Sequence, residues 1–244
     1  MVMVKIKSMS ADMENNNKID IDFHSHILPG CDHGSDSLQT SLKQMHMAKN
    51  AGVNIICATP HFYPDQESLN TFIKRRKKCY DVLRESLAED DPIVLCGAEV
   101  LICDNIDKLK DLHKLCLENT NYLLIEMPFY TWSTDIVNTV ERLSDIKDIV
   151  PVMAHADRYR TEDVQKIIDL GIDLQLNTSS LCNRFKNHRL KKWLASGYVI
   201  ALGSDIHGTK GGYKDWIKCS KKFGNKLDCC RNPFKEEKIN VENI

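Results

Sequence analysis

Seven short apolar runs, each separated from the next by a helix-length segment, constrain this chain more than any other feature. They lie at 19–26, 53–58, 93–98, 122–125, 149–154, 172–176 and 198–203. The intervening segments switch to three-to-four spacing. Leu38, Leu42 and Met45 mark a helix over 37–51 that Gly52 stops, and Leu69, Phe72, Ile73, Tyr80, Leu83 and Leu87 mark another over 66–88. A short helix is expected near 105–118. Ser133 caps a helix carrying Ile136, Val140 and Leu143, Thr161 caps one ending at Gly171, and residues 187–196 form one ending at Gly197. A last helix and a polar tail are expected over 213–244. Strands alternating with helices imply an α/β fold with a parallel sheet.

The strand ends carry the chemistry. The first run finishes in His24-Ser25-His26, and side chains two apart on a strand share a face. The later runs lead into His61, Glu99, Glu126, His155 and the pair Asp205 and His207. Any one of these is as readily a satisfied core histidine or the partner of a lysine. Eight at the same end of successive strands point to a metal site. A doubly wound open sheet would collect functional residues from two or three strand ends at a switch point. Convergence from six strand ends is natural in a closed (βα)7 barrel of the TIM type.

Four ligands serve one ion. Eight suit two or three divalent ions with a bridging carboxylate, and imidazole mixed with carboxylate suits Mn2+, Fe or Zn without choosing among them. Such a cluster supplies a water-derived nucleophile and stabilises both ends of an in-line phosphoryl displacement. Arg158, three residues beyond His155, reads equally as a phosphate clamp or as a surface ion pair.

Composition narrows the context. The 244 residues carry a net charge of −1, which gives no global field for nucleic acid or a membrane surface. The basic run Lys74-Arg75-Arg76-Lys77-Lys78 wraps round a helix and reads mainly as a solvated face. None of the ten cysteines pairs as Cys-x-x-Cys, and none is followed six positions later by the arginine that cysteine-dependent tyrosine phosphatases need. No stretch is long and apolar enough to span a membrane, and residues 1–18 lack a signal peptide's apolar run. The expectation is a cytoplasmic protein with a flexible N-terminal extension at 1–18. One barrel domain over 19–244 follows, including the C-terminal helix and tail.

Taken in order, His24-Ser25-His26-Ile27-Leu28-Pro29-Gly30 with Asp32 and Gly34, Ala58-Thr59-Pro60-His61, Gly97-Ala98-Glu99, Ala154-His155-Ala156-Asp157-Arg158-Tyr159, Gln175-Leu176-Asn177 and Gly203-Ser204-Asp205-Ile206-His207 form a specific set. The chain resembles the PHP superfamily, and within it the bacterial CpsB/CapC/YwqE group of tyrosine phosphatases, from about Ile19 to His207. The resemblance implies a distorted seven-stranded barrel with a trinuclear site, typically manganese-supported. His24, His26, His61, Glu99, Glu126, His155, Asp205 and His207 are its implied metal ligands. Arg158 is its phosphate-binding residue, with Arg158, Asp205 and His207 as catalytic candidates. The implied partner is a tyrosine-phosphorylated protein, a bacterial kinase of capsular or exopolysaccharide synthesis, with no nucleic acid, no membrane insertion and the oligomeric state open.

Three departures from the group's pattern stand out. Asp32-His33-Gly34 replaces Asp-Asp-Gly, which makes His33 a candidate substitute ligand. Lys210 lies in the loop where the group carries an arginine, and lysine cannot form a bidentate fork. The chain also begins about 20 residues before the His-x-His strand, earlier than is usual in the group. The rival readings are a TatD-like nuclease, a histidinol-phosphate-type phosphatase and a non-enzymatic module. An amidohydrolase would carry a lysine where Glu126 stands.

Overall fold

The computed structural model describes residues 20–183, 187–210 and 213–223. The expected N-terminal extension, the tail beyond residue 223 and the glycine pair 211–212 lie outside them. Among the described residues all strand pairings are parallel. Strand β1 (Ile21–Ser25) pairs with β2 (Ile55–Ala58), and β2 pairs with β4 (Ile93–Cys96). A second sheet runs from β3 (His61–Phe62) through β5 (Glu99–Leu101), β6 (Tyr122–Glu126), β7 (Val150–Met153) and β8 (Asp173–Asn177) to β9 (Val199–Gly203).

Among the described residues the seven expected strands become nine, because two of them break, for visible reasons. Thr59-Pro60 divides β2 from β3, and proline has no N–H for the ladder. Gly97-Ala98 divides β4 from β5 opposite that break, where Gly97 donates to the Ala58 carbonyl and Glu99 to the Pro60 carbonyl. The segment Leu117–Glu118 wedges in between β4 and β6. Glu118 N–H donates to Cys96 O at 2.8 Å and Leu117 N–H to Tyr122 O at 2.8 Å. A Cβ on Gly97 would lie 3.3 Å from the Leu117 Cα, so the glycine makes room for the wedge. The barrel is distorted at this point, as expected for the PHP type.

The two sheets close on each other where β9 meets β1. Asp205 N–H donates to His24 O at 2.8 Å, and His26 N–H to Ile206 O at 3.3 Å. Phe23, Cys57, Leu95, Leu124, Val152 and Ala201, from β1, β2, β4, β6, β7 and β9, form one apolar cluster. Side chains from strands so far apart in order meet only inside a closed sheet. A larger cluster packs the helices on the outside, with Phe72, Val140, Val164 and Leu190 against Ile125 and Leu174.

The helices are α1 (Leu38–Asn50), α2 (Leu69–Arg84), α3 (Thr134–Ser144), α4 (Thr161–Asp169), α5 (Thr178–Cys182), α6 (Asn187–Ala195) and α7 (Lys214–Phe223). Ser133 caps α3 as expected, its hydroxyl accepting from Ile136 N–H at 3.3 Å. Thr161 does not cap α4; Arg160 is the residue before it, and the Thr161 hydroxyl accepts from Arg189 at 3.1 Å. The helix expected near 105–118 is two 3-10 turns, Ile106–Lys108 and Leu112–Leu115, because Asn105 and Asp111 sit at φ 63 and 62 and interrupt a continuous helix. The short helix α5 was not anticipated. Among the described residues no helix is long and apolar enough to cross a membrane.

Asp22, wholly buried, ties the seam. Its carboxylate accepts from Ser204 N–H at 2.7 Å, His24 N–H at 3.4 Å and the Tyr213 hydroxyl at 2.7 Å, which fastens β1 to the end of β9 and to the start of α7. Asp22→Ala would strand buried donors, so urea unfolding is expected to show a loss of about 2–4 kcal/mol. A loss below about 1 kcal/mol would show that the carboxylate does not hold the seam.

Candidate metal centre

The closed sheet brings all eight sequence-predicted ligands to one end of the barrel. His24 Nε2 and His26 Nε2 are 3.1 Å apart. Glu99 Oε2 lies 3.1 Å from His24 Nε2, from His26 Nε2 and from His61 Nδ1. His155 Nε2 stands 2.8 Å from Glu99 Oε1 and 3.5 Å from Glu126 Oε1. Asp205 Oδ1 is 3.5 Å from His26 Nε2 and 3.4 Å from His207 Nδ1. All but His207 are buried.

The arrangement suits cations. Three imidazole nitrogens converge on Glu99 Oε2, yet among the described residues that oxygen has no partner in hydrogen-bond geometry, and neither has His61 Nδ1, His155 Nδ1 or His207 Nε2. Buried polar atoms without partners are costly, and all four belong to candidate ligands. Among the described residues, candidate ligand atoms fall into three compact groups: His26, His61 and His207; His24, His26 and Asp205; and His61, Glu99 and Glu126. Within each, the atoms lie within 4.8 Å of one another. His26 and His61 belong to two groups each, so the three groups adjoin one another.

Side chains not counted among the ligands orient them. Asp32 Oδ2 accepts from His26 Nδ1 at 2.7 Å and from His61 N–H at 3.0 Å, so one carboxylate sets two of the imidazoles. Gln175 Oε1 lies 3.1 Å from His24 Nδ1 and accepts from His155 N–H at 2.7 Å. Asn177 donates to Asp205 Oδ2 at 2.9 Å and receives from Gln175 Nε2 at 3.1 Å. Gln175 and Asn177 are two apart on β8, a spacing that places them on one face; it signals their partnership but not their targets. Asp157 accepts from Asn177 N–H and from the Ser180 hydroxyl, which sets α5 against the site.

The basic run on α2 is more than a solvated face. Arg75 donates to the carbonyls of Cys31 and His61 and pairs with Glu67, linking the Asp32 loop to β3. Arg76 donates to Gly97 O at 2.7 Å and Lys114 O at 3.0 Å.

Close approach and strain also shape the centre. A Cβ on Gly34 would lie 2.2 Å from His26 Cβ, and one on Gly203 2.6 Å from His24 Cβ. His155 and Asp205 take positive φ of 31 and 50, conformations that side-chain-bearing residues rarely adopt and that concentrate at functional sites. Burial lowers the His26 affinity for a proton, but Asp32 and Glu99 outweigh it and raise its pKa to about 10. Burial likewise opposes protonation of His155, and Glu126 and Glu99 lift it to about 9. His61 is pushed down to about 3, chiefly by burial. Burial would raise Glu99 and Asp205, yet the neighbouring histidines, joined at Asp205 by Arg158, hold both carboxyls below their ordinary range.

Arg158 donates to Asp205 Oδ2 and keeps 39% of its side chain exposed, at the mouth of the cluster. His33 stacks on His61 and His207 with ring centroids 4.7 Å from each, on the solvent side. Lys210 is exposed on the loop after His207.

Residues 20–232 match the family described as capsular polysaccharide synthesis, CpsB/CapC. The chain is 30% identical over 201 residues to the tyrosine-protein phosphatase CpsB of Streptococcus agalactiae serotype III (strain NEM316), covering 77% of this chain and 82% of the relative. It is 29% identical over 206 residues to the tyrosine-protein phosphatase YwqE of Bacillus subtilis (strain 168), covering 78% of each. A solved structure from work on Bacillus subtilis YwqE and Streptococcus pneumoniae CpsB, described as unique metal-dependent tyrosine phosphatases, has the same fold. The TM-score is 0.70 at 23% identity, over 88% of this chain and 90% of that one.

Metal ligation needs an unprotonated nitrogen, and His26 and His155 hold their protons at neutral pH when no ion is bound. Loading with Mn2+ near neutral pH is therefore expected to release protons, so the calorimetric enthalpy will change with the buffer's ionisation enthalpy. Affinity will fall as pH drops toward about 6. A buffer-independent enthalpy would remove both histidines from the ligand set. Asp32→Asn, which keeps the shape but weakens the acceptor, is expected to reduce metal affinity about 10- to 100-fold; unchanged affinity would make Asp32 purely structural.

Proposed function

The chain belongs to the CpsB/CapC family, and on that premise we propose that it is a metal-dependent tyrosine-protein phosphatase, a phosphoric monoester hydrolase. The observation that carries the reading is the convergence of three histidine nitrogens on Glu99 Oε2, 3.1 Å from each, at the end of a closed barrel. His24, His26, His61, Glu99, Glu126, His155, Asp205 and His207 would hold two or three divalent ions. The donor set is free of thiolate and suits Mn2+, with iron or zinc as substitutes. When bound, the ions neutralise phosphoryl charge and supply a nucleophile from water.

The chain's own residues do the rest. Arg158 presents an accessible guanidinium beside Asp205 and binds the phosphoryl oxygens in fork geometry. Asn177 fixes the Asp205 carboxylate, and Asp32 and Gln175 keep the imidazoles in register. A tyrosyl leaving group has a pKa of about 10 and needs less protonation than an alkyl alkoxide. His207, with Nε2 unpartnered, and Asp205 stand nearest to assist it. His33 roofs the cluster and Lys210 adds charge at the rim, in place of the carboxylate and arginine seen in the group. We assign the protein to the cytoplasm. Its substrate is a tyrosine-phosphorylated protein, a kinase that controls capsular or exopolysaccharide synthesis.

The test is hydrolysis of a phosphotyrosine peptide by protein stripped of metal and re-supplied with Mn2+. A phosphoserine peptide, histidinol phosphate and a single-stranded oligonucleotide run in parallel. Restoration by Mn2+ with phosphotyrosine fastest is the expected result; faster turnover of any other substrate overturns the assignment. His155→Ala and Asp205→Ala are each expected to fold and to lose about 100-fold or more in turnover. Full activity in either would remove that residue from the site.

A further inference from the structure

One loop beside the cluster holds a feature that phosphate chemistry alone does not use. Between Glu126 and α3 the chain runs Met127-Pro128-Phe129-Tyr130-Thr131-Trp132. It is pinned at both ends. The Tyr159 hydroxyl donates to Met127 O at 2.6 Å, and the Trp132 indole N–H donates to Pro128 O at 2.8 Å. Trp132 packs edge-on to Tyr159 at 5.4 Å and is buried. Phe129 is held out from this base with 69% of its surface exposed.

The exposed ring is not randomly placed. It lies nearly parallel to Tyr159, at 5.7 Å and 18°, and to the His155 imidazole, at 6.2 Å and 15°. His155, Arg158 and Tyr159 come from one turn. The residue proposed to hold phosphate and the ring that backs Phe129 are therefore adjacent in sequence, and both lie beside the metal-ligand cluster. An exposed phenylalanine forgoes the gain of burial, and hydrogen bonds at both ends of the loop hold it there. A flat apolar wall beside a phosphoryl site is covered by a substrate that carries its own ring next to the phosphate.

We propose that Phe129, backed by Tyr159, is the specificity-determining wall that receives the aryl ring of the substrate, so that the site prefers aryl over alkyl phosphate monoesters. This rests on the phosphatase reading above. The ring of phosphotyrosine stacks on Phe129 while its phosphate reaches Arg158 and the cluster. A phosphoserine of the same peptide leaves the wall uncovered. Phe129 stacks on one candidate ligand, His155, and a disturbance of the cluster through that contact would slow aryl and alkyl substrates alike.

The experiment compares wild type, Phe129→Ala, Phe129→Trp and Tyr130→Ala, all loaded with Mn2+. Tyr130 is the control. It is 67% exposed on the same loop, but it lines a groove of about 690 Å3 with Pro64, Ser133 and Ile136. Two readouts are taken: kcat/KM for phosphotyrosine and for phosphoserine as free amino acids, and calorimetric Kd for benzylphosphonate and propylphosphonate. Phe129→Ala is expected to lower phosphotyrosine kcat/KM and benzylphosphonate affinity about tenfold. The alkyl compounds should change by less than about twofold, and Phe129→Trp should restore the preference. Equal losses on aryl and alkyl compounds, no loss on either, or the same selective loss in Tyr130→Ala would each overturn the proposal. Wild-type protein that hydrolyses no phosphotyrosine with Mn2+ would instead overturn the phosphatase reading.

Discussion

Everything at the centre of this protein depends on one carboxylate oxygen, Glu99 Oε2, with a histidine nitrogen from β1, from the residue after it and from β3 each 3.1 Å away. In water such a gathering would disperse. In a buried site it is held by the two-position register of β1, by the pairing of His61 with Glu99 across β3 and β5, and by Asp32 and Gln175 gripping the far nitrogens. The carboxylate keeps its charge against burial because histidines surround it, and His26 keeps its proton because Asp32 and this carboxylate are charged. The barrel, its broken strands and its two close-approach glycines can be understood as the frame that keeps this set from relaxing.

The division of the sheet follows from the same demand. β3 and β5 begin again beyond Pro60 and Ala98, so His61 and Glu99 start fresh strands at the rim instead of ending old ones. The Leu117–Glu118 wedge fills the place that β6 leaves beside β4. What looks like an irregularity in the fold is what sets the candidate ligands His61 and Glu99 side by side at the start of two paired strands.

Much of this was legible in the residues. Each ligand candidate follows an apolar run, and polarity changing at every run's end survives any error in the element boundaries. The roles of Asp32, Gln175 and Asp157 were not legible, because each is defined by a partner far away in sequence, such as Gln175 with His24. The role of Arg75 is hidden for a related reason: five consecutive basic residues look alike, and only packing shows that one spans two site loops while its neighbour Arg76 anchors the Gly97 break. The 3-10 turns were hidden in ordinary-looking polar residues, Asn105 and Asp111, whose left-handed backbone ends what the apolar spacing would continue.

The seam between β1 and β9 has a further meaning. It closes with few backbone bonds, and the candidate ligands His24, His26 and Asp205 lie on its two sides. An ion held by those three would staple the first strand of the barrel to the last, and by mass action it would favour the closed chain over any form open at that join. The population exposed to proteolysis would then fall as the free ion rises. Metal supply would set how long each molecule lasts as well as how fast it turns over, which couples the amount of protein in a cell to the ion its chemistry needs.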